Sequence, residues 1–220
     1  MRSRGSSPVN RNEFRMKKTW LALAVLCSLA SSAAFAQDAA DGRWMVRARA
    51  VHLDSVNKDS TGLGLSINDK VLPEVDFTYF FSPNIAAELI LTVPQKQDIR
   101  ADGLGKIGTL KHLPPALLAQ YHFTQFSGFK PYVGAGINYT RFSSVRFNPA
   151  VQAALSPSID KSSWGGALQV GVDIPLSKNL YLNIDVKKVF IETDVFSAGN
   201  KVGTLKINPV LAGVGLGWRF

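Results

Sequence analysis

The chain has 220 residues, 46% of them apolar and 19% charged, with a formal net charge of +9. That length and apolar content suit one domain with a substantial core, and exclude a disordered chain or a disulfide-held mini-protein. Much of the positive charge precedes Trp20, where Arg2, Arg4, Arg11, Arg15, Lys17 and Lys18 face only Glu13, so the remainder has no basic block of the kind that binds nucleic acid.

The chain opens on an address. Met16-Lys17-Lys18 precedes a nearly all-apolar run from Trp20 to Ala30, which leads through small residues to Ala34-Phe35-Ala36. Basic, apolar and small-x-small in that order predict a secretory signal peptide over 1–36, cleaved after Ala36. The apolar run is about half of the roughly 20 residues a spanning helix needs. Met16 heads a more typical signal than Met1, so 1–15 reads as an upstream extension. The single Cys27 falls here, which leaves 37–220 without a disulfide, a cysteine zinc site or a catalytic thiol.

After Ala36 the apolar period is two. Strands are expected at 43–52, 72–81, 85–94, 111–123, 131–142, 162–174, 180–190 and 204–220, most of them long enough to cross a bilayer as tilted strands. Connections alternate: short turns such as Ser82-Pro83-Asn84, then long polar loops near 53–71, 95–110, 143–161 and 191–203. Residues 150–155 are expected to form a helical turn in the third loop. The pattern predicts an all-β protein, an eight-stranded antiparallel transmembrane up-and-down β-barrel over 37–220, with both termini at the short-turn end.

The two strand faces differ in kind. One carries Trp44, Phe77, Tyr79, Phe81, Leu89, Tyr121, Phe123, Tyr139, Trp164, Leu182, Trp218 and Phe220, with no charge along it. The other carries Arg47, Arg49, Glu74, Asp76, Glu88, Asp173, Asp185, Lys187 and Arg219 among many glycines and threonines. An eight-stranded barrel has room inside for small and paired polar side chains and not for a row of rings. The aromatic face therefore meets lipid, and its rings cluster at the short-turn ends as an interfacial girdle does. Of the inward charges, Arg47, Arg49, Glu74, Asp76, Glu88, Asp185, Lys187 and Arg219 carry both signs, which predicts a paired network, since isolated charges in a low-dielectric interior are costly. Inward parity also holds Met45, Ile90, Pro114 and Leu118, apolar residues that fit either a plug or a passage; His112 and Trp164 lie near the outer rim, where they would shape an entrance. Alternation places Trp164 on the lipid side unless a bulge turns it inward. Pro114-Pro115 interrupts the ladder and marks a place for a lateral opening.

Several stretches together resemble the OmpW family of small outer-membrane proteins. They are Lys111-His-Leu-Pro114-Pro115 leading to Gln120-Tyr-His-Phe123, Pro131-Tyr-Val-Gly-Ala-Gly-Ile-Asn-Tyr-Thr140, Ser163-Trp164-Gly, Gln169-Val-Gly-Val-Asp173, and the glycine-alternating end Val214-Gly-Leu216-Gly-Trp218-Arg-Phe220. The resemblance implies an eight-stranded barrel in a Gram-negative outer membrane, with a narrow, largely hydrophobic lumen thought to pass small apolar molecules. The terminal Phe220 resembles the signal by which such barrels meet their assembly machinery. Alternatives are a receptor acting through its long loops, and a lipid-modifying barrel enzyme.

Catalysis is not expected. His52 has Asp54, Ser55 and Ser60 near it in sequence, but there is no Gly-x-Ser-x-Gly elbow and no metal-binding histidine spacing. Gly103-Leu-Gly105-Lys-Ile-Gly108 matches a dinucleotide pattern by letter but leads into a strand, so it reads as loop glycines. No cofactor is implied. The expected partners are outer-membrane lipid, small apolar solutes and the assembly machinery, and not nucleic acid.

Overall fold

A computed structural model describes residues 42–220, so the expected signal peptide and its cleavage point lie outside the described residues. In chain order, β1 (Trp44–Asp54) is followed by two two-residue strands, β2 (Lys58–Asp59) and β3 (Ser66–Ile67), then by β4 (Lys70–Phe80) and β5 (Ile85–Thr92). Next come β6 (Gln95–Ala101), β7 (Gly105–Leu113), β8 (Ala116–His122) and the 18-residue β9 (Lys130–Phe147). A short helix, α1 (Pro149–Leu155), leads to β10 (Pro157–Ile159), β11 (Ser162–Pro175) and β12 (Leu180–Val189). The chain ends with β13 (Glu192–Ser197), β14 (Asn200–Lys206) and β15 (Val210–Arg219).

Eight of these strands, β1, β4, β5, β8, β9, β11, β12 and β15, pair antiparallel in that order, and β15 pairs back onto β1 to close a barrel. Closure leaves no open edge within the hydrocarbon, as a bilayer demands of strands. The start of the first barrel strand and the end of the last meet at the short-turn end: Trp44 N donates to Phe220 O at 2.9 Å, and Phe220 N to Trp44 O at 2.8 Å. Burial alternates along β1, β4 and β8 residue by residue. The outward set includes Leu89, Leu117, Ile137 and Val170, each more than two-fifths exposed, which is an apolar belt and not a defect of packing. At the short-turn end Trp44, Tyr79 and Phe81 stack in series, as do Tyr121 and Phe123. None of the described helices is long and apolar enough to cross a membrane.

The long connections depart from expectation. They are not loops but more sheet, standing above the barrel. β6 and β7 form a hairpin whose β7 pairs with the upper half of β9, and β3 adds to its far edge. The β6–β7 turn contains Gly103 and Gly105, both at positive φ, which accounts for the glycine spacing there. A second, four-stranded sheet has the order β10-β13-β14-β2. These segments also alternate, with Gln95, Gln97, Ile99 and Ala101 all buried. Their outward residues are polar because they meet water, which disguised them as loops. Asp59 ties the rim locally, accepting from Thr61 N at 2.9 Å and Leu65 N at 3.1 Å.

Three expected strands are also broken, each at a proline. The 85–94 strand stops at Thr92 before Val93-Pro94, 111–123 divides at Pro114-Pro115, and 204–220 divides at Ile207–Pro209. Proline has no N–H to give to a ladder, so pairing lapses there.

Candidate functional site: the barrel interior

The interior is built in three levels. At the short-turn end Met45, Phe80, Ala86 and Tyr181 form a small apolar floor. Arg219 lies over the Phe80 ring, 3.9 Å from its centre, and its Nε donates to Gly42 O at 2.8 Å. His122 stacks on Tyr132 with ring centres 4.9 Å apart.

Above the floor lies the charge network. Arg47 of β1 is fully buried, and its Nε and Nη2 grip Asp173 of β11 bidentately at 3.1 and 2.7 Å. Its Nη1 donates to Asp76 at 3.0 Å and Thr78 at 2.7 Å. Arg49, two residues on and therefore on the same face, donates to Asp185 at 2.9 Å and Glu88 at 3.1 Å, and its Nη2 lies 2.6 Å from Asp76. Lys187 of β12 bridges Glu74 and Asp185, at 2.7 Å to each. Gln120 and Gln169 link Glu88 to Asp185 across the lumen, each bond 2.9 Å. Residues from β1, β4, β5, β8, β11 and β12 thus meet on the axis. Small residues make this possible: a Cβ on Gly171 would come 2.5 Å from the Tyr132 hydroxyl, and one on Gly213 would come 2.5 Å from Asp185 Oδ1.

Above the network the interior turns apolar. Leu53, Leu72, Ile90, Ala116, Ala167, Val189 and Leu211 surround a cavity of about 30 Å³, with the Glu74–Lys187 pair at its base. One side of this cavity is formed by Ile90, Thr92 and Gln95 facing His112, Pro114 and Ala116. There the barrel wall is incomplete. The β5–β8 ladder ends at Ile90 opposite Ala116, and the β6–β7 ladder resumes only at Gln95 opposite His112. The backbone between, Leu91–Pro94 on one side and Leu113–Pro115 on the other, has no register across the gap, although Leu91 and Thr92 still pair with β4 and Leu113 with β9 on their other sides. β9 runs past the break intact, paired with β8 below it and β7 above it. A second apolar cavity, about 50 Å³, lies higher up, lined by Leu65, Ile99, Ile107, Phe147, Leu155 and Val195 among others.

Similarity to known proteins agrees with this architecture. Residues 40–220 match the OmpW family. The chain belongs to that family. It is 35% identical over 217 residues to outer membrane protein W of Escherichia coli strain K12, an alignment covering 93% of this chain and all of the relative. It is 40% identical over 187 residues to the uncharacterized outer-membrane protein y4mB of Sinorhizobium fredii, covering 80% of each chain. The crystal structure of OprG from Pseudomonas aeruginosa superposes with a TM-score of 0.73 at 25% identity, covering 82% of this chain and 96% of that one. This OmpW family member is an eight-stranded barrel of the Gram-negative outer membrane.

Most of the expected interior residues come together in this structure. Met45 lies in the floor; Arg47, Arg49, Glu74, Asp76, Glu88, Asp185 and Lys187 form the network; Ile90, His112 and Pro114 line the cavity, with Leu118 buried just below. Trp164 corrects an expectation. It is 69% exposed and packs on Tyr139, ring centres 4.8 Å apart, so it belongs to the outer girdle and not to an entrance. No bulge interrupts the β9–β11 register near it, and plain alternation keeps it on the lipid side. Arg219, grouped by the sequence with the charge network, lies at the floor, over the Phe80 ring. Asp173, Tyr132, Gln120, Gln169 and Asn183 were not picked out as site residues. All five are polar and inward by parity, and that signal alone was enough to find them.

Proposed function

We propose that this barrel is a narrow passage that admits small apolar molecules from the long-loop side and releases them sideways into the bilayer through the break at Pro114-Pro115. The observation that carries the reading is the coincidence of the apolar cavity with the incomplete wall, directly above an ionic network that fills the axis. An apolar solute gains roughly 25 cal/mol per Å² removed from water, which favours weak, exchangeable binding above the network, and nothing favours its passage through the charges below. The cavity as it stands is smaller than such a solute, so entry requires the unpaired wall segments to part. The barrel then acts as a conduit and not as a catalyst. His52, the histidine with candidate catalytic partners near it in sequence, is exposed on the outer face while Ser55 is buried. The C-terminal strand, ending in Phe220, would serve assembly.

The test is uptake of a small hydrocarbon by cells carrying the protein. Ala116→Phe, which fills the cavity, and the pair Pro114→Val with Pro115→Val, which restores donors to the ladder, should each lower uptake toward that of cells without the protein, with surface amount and heat-modifiable migration preserved. Unchanged uptake by both folded variants would leave a receptor role for the upper sheets as the better reading.

A further inference from the structure

The outward face of the upper sheet carries charge that nothing in the barrel interior uses. On β6, β7 and β9, Lys96 stands directly opposite Lys111, Thr109 opposite Arg146, and Leu113 opposite Arg141. Directly opposed residues share a face, so these side chains project together. Arg100 and Lys106 are a further opposed pair on the same hairpin. One carboxylate, Asp98, joins this group, and Lys106 already holds it at 2.8 Å. That hydrogen bond keeps the Asp98 carboxyl below its ordinary value, with smaller contributions from Arg100 and Lys96, so it remains an anion held chiefly by Lys106 among several cations. Lys96, Lys111, Arg141 and Arg146 have no ion-pair partner among the described residues. Like charges set directly opposite each other in a sheet destabilise it, so the Lys96–Lys111 pair calls for an anion.

Local backbone geometry sharpens the point. The β7–β9 register shifts between Thr109 and Lys111, and Ser144 on the bulged strand is held at φ 50°. A non-glycine residue there is strained, and such strain persists where a bulge re-aims side chains. Its effect on parity is visible: Ser143 and Ser144 are both exposed in succession, so Arg146 stays on the outward face, where unbroken alternation from Arg141 would have turned it inward. The result is a concavity of about 250 Å³ lined by Lys96, Thr109, Lys111, Ser144 and Arg146, three cations and two hydroxyls.

Its height names the ligand. The apolar belt on this side ends with Val93, Leu117 and Ile137, all about half exposed. The Tyr139–Trp164 ring pair follows, as interfacial aromatics do at the headgroup level. Arg141 lies two residues beyond Tyr139, roughly 7 Å along the strand. The basic face therefore begins, at Arg141, where hydrocarbon gives way to lipid headgroups, and the concavity follows from Lys111, opposite Ser143, one step farther out. We infer that the Lys96–Thr109–Lys111–Ser144–Arg146 face is a binding site for the phosphate groups of a phosphorylated glycolipid of the outer leaflet, of the lipid A type. Guanidinium and ammonium donors with flanking hydroxyls are the groups that hold phosphate. The site is independent of the solute passage and stands or falls separately from it.

The experiment uses the protein refolded in detergent free of lipopolysaccharide. Binding of bis-phosphorylated lipid A and of enzymatically dephosphorylated lipid A is measured for the parent and for the triple variant Lys96→Gln, Lys111→Gln, Arg146→Gln. The parent should prefer the phosphorylated lipid, and the triple variant should weaken that binding by about tenfold or more while leaving dephosphorylated lipid binding unchanged. The variant Lys96→Arg with Lys111→Arg should retain it, which separates charge from folding. Equal binding of the two lipids by the parent, a comparison that needs no variant, would overturn the inference. So would a triple variant that folds and binds as the parent does. Displacement of the phosphorylated lipid by millimolar inorganic phosphate would also overturn it, by making the face a site for free anions.

Discussion

Replacing Arg47 by methionine tests whether the charge network organises the barrel. The side chain is fully buried, and it serves Asp173 with two bonds and Asp76 and Thr78 with one each, besides lying 3.5 Å from Glu88. Methionine approximates its stem and removes its charge, leaving Asp76 and Glu88 to Arg49 alone and Asp173 with the Asn183 amide in place of a cation. Removing one partner of a buried ion pair costs about 3–5 kcal/mol, because the other charge remains buried and unpaired. Arg47→Met should therefore fall near the upper part of that range. The assay is reversible urea unfolding in lipid vesicles, followed by the fluorescence of Trp44, Trp164 and Trp218. Asp173→Asn alone should also destabilise, but the double variant should lose less than the sum, with a coupling of about 2–3 kcal/mol. Lys201 and Asp194, paired in the exposed upper sheet, provide the control, and Lys201→Ala should leave the midpoint unchanged. Additive effects of Arg47→Met and Asp173→Asn, each below about 1 kcal/mol, would mean that water and not ion pairing fills the lumen, and the reading of an axial block would fail.

Other consequences follow from burial and geometry. Leu89 is 41% exposed in the lipid belt, so Leu89→Arg should destabilise by about 2–4 kcal/mol in the same assay. Gly171→Val places a side chain against the Tyr132 ring, and this overpacking should cost about 1–3 kcal/mol. At the rim, burial pushes the Asp59 carboxyl up, but the backbone N–H groups of Thr61 and Leu65 outweigh it and hold it below its ordinary 3.8. A depressed carboxyl adds stability that is present above pH 3.8 and is lost as pH falls below it through the folded value. Hydrogen exchange at Thr61 and Leu65, corrected for its intrinsic pH dependence, should therefore lose protection in that window, and Asp59→Asn should abolish the change.

The membrane part of this fold was legible because lipid and a crowded lumen impose opposite chemistry on successive residues. Nothing else explains Arg47, Arg49 and Asp76 alternating with Val46, Ala48 and Phe77 along β1 and β4. The upper sheets were less legible because both surroundings of their strands differ from those below. Lys96, Asp98 and Arg100 lie beyond the hydrocarbon, so Gln95, Gln97 and Ile99 lose the apolar contrast that marks a spanning strand. The network was legible in kind but not in membership. Asp173 lies on the inward face of its strand as Asp185 does on the next, but only the closed barrel puts it opposite Arg47, 126 residues away in sequence. Trp164 was readable from parity alone, and the structure sides with parity.

The proposed lateral route follows from two features of the wall. The network joins six of the eight strands across the axis, and moving a solute through it would mean separating several buried ion pairs at once. Parting the wall at Pro114-Pro115 breaks far less. Pro94, Pro114 and Pro115 have no N–H to contribute, and the backbone between Ile90 and Gln95 has no register across to Leu113–Pro115 to lose, while Leu91 and Thr92 stay paired with β4. β9 limits the movement to one side, since its 18 residues bind β11 along most of their length and carry both β7 and β8. The wall can therefore yield between β5 and β8 without opening the barrel, and the weakest part of the cylinder lies beside its apolar cavity.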